Sequence, residues 1–216
     1  MPYAVELWDA KGKVIYNTAT KNYSLISRQR IIVPSNANGV TIPLPGTPGS
    51  TIPFFRVDGA YRSGFVCAGG IQGNNIWVGQ VSDSGESVPV IIYAMGVGTT
   101  GQQPDYGAVV RDEAGKITWS SLDNPLFLRD VAVTSAHANP GTNMGINTPV
   151  AVNVEPMGWA TRSNLAGSAL IYAMGFNNGL WTTPYGNTNG SGAWSWAPEM
   201  IPLLTRKTYI DTSYMD

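Results

Sequence analysis

Apolar residues along this chain come in short continuous runs or alternate with polar ones, and the 3.6-residue recurrence of an amphipathic helix is hard to find. The run "VPVIIYAMGVG" is strand-sized and follows the polar turn string "SDSGES". The stretch "VNVEPMGWATRSNLAGSALIYAMG" has the same grammar of strand, polar turn and buried strand. The most helix-like piece, "LIYAMGFNNGL", is cut by two glycines, and its apolar residues are continuous. The pattern predicts an all-β fold: two related β-sandwich-like halves with long Gly/Pro/Asn-rich loops.

The pairing of halves comes from repetition. The pentapeptide Ile-Tyr-Ala-Met-Gly occurs at Ile92–Gly96 and again at Ile171–Gly175. Upstream, the segment from Tyr3 aligns without gaps on the segment from Tyr106. Tyr3, Asp9, Gly12, Lys13 and Leu25 meet Tyr106, Asp112, Gly115, Lys116 and Leu128. In both, an extended run meets Asp-x-x-Gly and then a second extended run. Aspartate bonds back to the backbone at such a turn and glycine takes the left-handed position after it, so each segment predicts a β-hairpin.

An internal duplication then divides the chain at two boundaries. Residues 1–97 form a first half that closes on the first IYAMG strand, with a Pro-rich arm over 33–55. Residues 98–105 form a linker. Residues 106–216 form a second half, in which the second IYAMG strand is expected to be the corresponding closing core strand, followed by an aromatic loop over 181–196 and a C-terminal tail. The arm holds Pro34, Pro43, Pro45, Pro48 and Pro53, and a segment of that kind is expected to wrap a neighbouring subunit.

Composition narrows the function. Hydrophobic residues, at 43%, suffice for a core, while charged residues are only 12% with a net charge of −1. Nucleic-acid binding needs clustered cations, and no cluster is present in the sequence, so neither a nucleic-acid partner nor a basic membrane-binding face is expected. No run approaches the length of a membrane-spanning helix, and the start carries no secretory pattern. The single cysteine, Cys67 in "GFVCAGG", excludes an internal disulfide and fits a reducing cytoplasm; it reads as a small core residue.

Candidate chemistry is sparse. His137, the one histidine, sits in a turn-like string without a metal-binding partner or a nucleophile elbow. The string "GGIQGNN" lacks the lysine of a phosphate-binding loop and reads as a hairpin turn. Asp58, Asp83, Glu86, Asp123, Asp130 and Glu155 are conceivable acid–base residues, yet none lies in a motif. The expectation is a protein that is not an enzyme and has no cofactor or metal.

One segment suggests contact with a ligand or partner. "LWTTPYGNTNGSGAWSWAP" gathers Trp181, Tyr185, Trp194 and Trp196 around Asn187 and Asn189. Stacked aromatics beside amides and hydroxyls suit sugar rings. Equally, Trp194 and Trp196, two apart on a strand, would share a face and pack into a core or a subunit contact. Both roles stand open at this level.

The second half opens with residues that carry a resemblance: Tyr106, Gly107, Val109, Asp112, Gly115, Trp119, Ser120 and Ser121. A weaker copy is Tyr3, Val5, Leu7, Asp9, Gly12 and Tyr16. This pattern resembles the start of small structural proteins of tailed bacteriophages that are assigned to tail tips, baseplates or fibres. The resemblance covers about 25 residues in each half. It implies a virion component, assembled in the host cytoplasm as a homo-oligomer with other tail proteins; the aromatic loop would then face either a partner subunit or a host cell-surface glycan. A non-catalytic carbohydrate-binding module and a capsid decoration protein are the alternatives.

Overall fold

A computed structural model describes residues 6–8, 14–17, 23–35, 39–46, 49–61, 66–81, 86–97, 101–112, 114–124, 126–163, 167–187, 193–197 and 204–216. Those residues are all-β, and the only helix among them is a 3-10 turn at Ser135–Ala138. Its first eight strands are β1 (Glu6–Trp8), β2 (Val14–Asn17), β3 (Tyr23–Val33), β4 (Val40–Pro43), β5 (Thr51–Val57), β6 (Val66–Gln72), β7 (Asn75–Val81) and β8 (Val88–Val97). Then come β9 (Val109–Arg111), β10 (Ile117–Ser120), β11 (Leu128–Ala132), β12 (Val150–Val152) and β13 (Pro156–Arg162). The last are β14 (Ser168–Phe176), β15 (Gly179–Asn187), β16 (Trp194–Trp196) and β17 (Arg206–Asp211).

Ten of these strands share one sheet, and strands from both predicted halves hydrogen-bond within it. At its centre β5 pairs β8 along one edge. Its other edge meets β12 at Phe55–Val152 and then runs parallel to β14 at Arg56 and Val57. From this junction one arm continues through β17 to β11, and another through β14 to β13, β16 and β15. A separate three-stranded sheet, β4–β7–β6, covers one face. Its β6–β7 hairpin turns at Gly73 and Asn74, with Gly73 at φ 58°, as the "GGIQGNN" string predicts.

The Pro-rich segment 33–55 is folded into both sheets instead of standing free as an arm. It supplies β4 and most of β5, and Val33, Leu44, Thr51, Phe54 and Phe55 are buried. Pro34 and Pro45 fall outside strands and Pro43 ends β4; Pro53 lies in β5 where the register gives a partner only on the β8 side, and Pro48 lies outside the described residues.

Alternation along β8 explains its continuous apolar run. Val88, Val90, Ile92 and Ala94 enter the core beneath the small sheet, together with Phe55, Val57 and Phe176. Ile91, Tyr93 and Met95 enter a second core on the opposite face, with Phe54, Ala151, Ile210 and Met215. A strand buried on both faces must be apolar at every position. Each such aliphatic side chain contributes roughly 1.5–3 kcal/mol by leaving water. A third core gathers Met157, Ala160, Ala169, Ile171, Ala173 and Leu180 behind β13–β15.

Two elements repeat pair for pair. In the first hairpin Glu6, Leu7 and Trp8 oppose Asn17, Tyr16 and Val14; in the second Val109, Val110 and Arg111 oppose Ser120, Trp119 and Ile117. The registers match at the spacing of the sequence alignment, and each skips one residue, Ile15 or Thr118. The strands after them match as well. Leu25 opposes Met95, which opposes Ile52; Leu128 opposes Ile210, which opposes Ala151. The order β3–β8–β5 thus meets its mirror in β12–β17–β11.

This pairing corrects one expectation. The strand that stands where β8 stands is β17, near the chain's end, and not the second IYAMG strand, β14. The shared pentapeptide reflects a shared environment, an inner strand with neighbours on both edges, and not a shared position.

Candidate functional site

The predicted aromatic group is divided by the sheet. Trp194 and Trp196 lie on β16 opposite Arg162 and Ala160 of β13, and Ala160 opposes Ala169 of β14. Directly opposed residues share a face, so both tryptophans pack toward the third core. The Arg162 guanidinium sits 4.9 Å from the Trp194 ring centre, and Trp196 Nε1 donates to the Thr134 carbonyl at 3.0 Å.

Trp181 and Tyr185 belong to the opposite face, through their partners Met174 and Leu170. Trp181 is covered: Tyr61 stacks on it at 4.5 Å with an 11° tilt, and its buried Nε1 has no hydrogen-bond partner. Tyr185 is 44% exposed. Asn187 opposes Ser168 at the end of β15, whereas Asn189 lies outside the described residues, as does Asp83.

What the register brings together around Tyr185 is a different set. Trp159, Leu170 and Tyr185 are directly opposed on β13, β14 and β15. They make an apolar row about 10 Å across at the usual interstrand spacing. One step along, Ser195, Thr161, Ser168 and Asn187 are opposed in the same way. On the other side of the apolar row lie Tyr172 and Thr183. Trp159, Thr161, Ser168, Leu170 and Tyr172 are half-buried, Ser195 is exposed and Thr183 is buried. None of these residues is charged.

Two details describe the covered part of this half-open face. Burial pushes the Tyr172 phenol above its ordinary value, and the neighbouring Tyr185 phenol adds to the shift. Tyr172 therefore stays a neutral donor throughout the physiological range. Trp159 Nε1 and Thr183 Oγ1 are buried without a hydrogen-bond partner.

The sequence did not single out Trp159 or Tyr172. Tyr172 sits in a pentapeptide that read as core. The available signal was the alternation of the wholly aliphatic Ala169, Ile171 and Ala173 with Ser168, Leu170 and Tyr172, two of which carry hydroxyls. That alternation marks a strand with one buried and one half-open face.

The other candidates have structural partners. Asp58 accepts from Arg30 Nε at 2.6 Å and from Asn177 Nδ2 at 3.1 Å, which together hold its carboxyl below the usual range. It shares a cavity of about 170 Å³ with Glu86, Ser87 and Pro89. Asp123 accepts the Ser120 N–H, and Asp130 accepts from Thr208. Glu155 meets the buried Lys207 at 3.3 Å, and Lys207 also donates to the Asn153 carbonyl. Burial lowers the Lys207 pKa, against the pull of Glu155. His137, in the 3-10 turn, accepts the Thr134 N–H at Nδ1, and burial lowers its pKa. Among the described residues no group of three or more His, Cys, Asp and Glu side chains is placed to hold a metal ion.

A further polar cluster lies on the opposite face of the central strands. Arg56, 2% exposed, bonds to Thr212 Oγ1 at 2.5 Å and pairs with Asp216 at 2.7 Å. Asp216 also accepts from Tyr93 at 2.6 Å and from Arg28 at 3.1 Å. The cluster pins residues 212–216 over β3, β8 and β5.

Comparison with known proteins adds no relative: no family model, curated protein or solved structure matches the chain.

Proposed function

We propose that this chain is a structural component of a bacteriophage virion, placed at the tail tip or a tail fibre, that assembles as a homo-oligomer with other tail proteins. The observation that carries the reading is the hairpin formed by the very residues that resemble tail-module proteins. Gly107, at φ 141°, lies against Ser121, and a side chain at 107 would collide with the Ser121 hydroxyl. The Ser121 N–H donates to the Ala108 carbonyl, and its hydroxyl accepts the Ala108 N–H. Asp112 and Gly115 make the turn: the Gly115 N–H donates to the Asp112 carbonyl at 2.9 Å, and the Asp112 carboxylate accepts the Lys116 N–H. Val109 and Ser120 are opposed across the strands. Most of the pattern thus has a role in building one hairpin.

That hairpin is a two-stranded sheet separate from the main one, and Tyr106 at its entrance is 96% exposed. A large aromatic side chain left that open suits a knob for another subunit. The repeated hairpin register and the mirrored strand order support an internal duplication, which would give one chain two related docking elements.

Immunogold electron microscopy on purified virions tests the reading. Gold at the distal tail is the expected result. Gold on the head would replace the tail by capsid decoration. No label, together with a negative blot of denatured virions, would overturn the proposal. Replacing Tyr106 with alanine should reduce incorporation into particles while leaving the chain folded.

A further inference from the structure

We infer that the half-open face of β13, β14 and β15 is a binding platform for an uncharged oligosaccharide. A sugar ring presents an apolar C–H face and a rim of hydroxyls, so its site needs a flat apolar surface with hydrogen-bonding groups alongside. The register supplies both in parallel. Trp159, Leu170 and Tyr185 form the apolar row, and about 7 Å further along the strands Ser195, Thr161 and Ser168 form a row of hydroxyls. The Tyr172 phenol stands on the other flank, beside that of Tyr185. A row about 10 Å long is the span of two linked rings.

The absence of charge at every one of these positions decides the ligand class. A sialylated or sulfated glycan would find no cation here, and an acidic or basic peptide no counter-charge. Both rows belong to strands of the main sheet, so the platform is held in shape before a ligand arrives, which lowers the entropy cost of binding. The six-residue set singled out in the sequence contributes Tyr185 from its ring-bearing members. The structure replaces Trp181, Trp194 and Trp196 with Trp159 and Tyr172. This inference does not depend on the virion reading, and a negative immunogold result would leave it standing.

The test uses the full chain with saturation-transfer NMR and tryptophan fluorescence. The probes are neutral oligomers of glucose, galactose, mannose and N-acetylglucosamine, alongside sialylated and sulfated glycans. The expected result is saturable binding of a neutral oligomer that salt leaves unchanged. Tyr185→Ala should weaken it at least about tenfold, Thr161→Ala should weaken it less, and Tyr106→Ala should not affect it. Both platform variants should keep the parent melting temperature within a few degrees. No binding of any neutral probe at millimolar concentration would overturn the inference. So would binding confined to charged glycans, or equal loss in Tyr106→Ala. A change of oligomeric state in Tyr185→Ala, seen by sedimentation, would also overturn it and make the face a subunit contact.

Discussion

The pentapeptide IYAMG is written into two strands, and the sheet uses its tyrosine in opposite ways. In β8 Tyr93 is fully buried, flanked by the guanidiniums of Arg56 and Arg28 at 5.5 and 5.9 Å, and its hydroxyl donates to Asp216. Burial and that bond push its pKa up to about 12. In β14 Tyr172 is half-buried beside Tyr185 on the open face. The isoleucine, alanine and methionine are buried in both copies. What differs is the layer laid over the tyrosine: residues 212–216 cover the β8 copy, whereas the β14 copy lies half open. Identical local sequence therefore fixes the strand and its two-sided burial, while a distant segment decides whether one side chain becomes core or surface.

Four experiments sharpen or break this contrast. The largest effect is expected within β15, where the covered and open parts of one face lie four residues apart. Trp181→Ala removes a ring stacked on Tyr61 and should cost about 3–4 kcal/mol in urea unfolding. Tyr185→Ala should cost under about 1 kcal/mol; equal losses would mean that the face is covered throughout.

The glycines that end the two pentapeptides should separate next. A methyl at Gly175 would run into the Val150 carbonyl of β12, which is backbone and cannot turn aside. A methyl at Gly96 meets the end of the Ile26 side chain, which can. Gly175→Ala should destabilise by about 3 kcal/mol and Gly96→Ala by clearly less, read from chemical denaturation.

The tyrosines themselves come third. Tyr93→Phe deletes a hydrogen bond to a charged acceptor and should cost about 2 kcal/mol, whereas Tyr172→Phe should be nearly neutral. The partner has a pH signature. Burial pushes the Asp216 carboxyl up, but hydrogen bonds from Arg56 and Tyr93 outweigh it and hold the group below its ordinary value. Its contribution is complete above the ordinary carboxyl range, near pH 4, and is lost as the pH falls through the lowered value. Asp216→Asn should therefore flatten the acid limb of the melting curve.

The smallest effect belongs to His137, beside the third core. Its folded pKa is lowered by burial, and its Nδ1 is an acceptor that protonation would remove. The stability it adds is full above about pH 6.5 and declines as the pH falls below that value. The melting temperature should drop by a few degrees between pH 7.5 and 5.5, and His137→Gln should abolish the drop.

These contrasts also mark how much could be read from the residues alone. The all-β class and the individual hairpins were legible because their causes are local. Asp112 and Gly115 make one turn and Gly73 another through their own backbone preferences. The continuous run of β8 announced burial on both faces. The branching of the main sheet was not legible, since it rests on β17 entering between β11 and β12, pairings between residues 74–82 and 57–61 apart in the chain. The binding face was half legible. Tyr185 was singled out, but whether Trp181 and Trp196, four and eleven residues away, are covered depends on Tyr61 and Thr134, which no local pattern names.

The late arrival of β17 has a consequence for synthesis. The arm β3–β8–β5 is complete once residue 97 has left the ribosome, and it can pair before the rest exists. In its mirror, β11 and β12 flank a gap that only residues 206–211 fill. During translation of the 53 residues between β12 and β17, both stand with unsatisfied edges in a crowded cell. The second arm is therefore the part of the nascent chain most exposed to chaperones, and to mispairing with another copy.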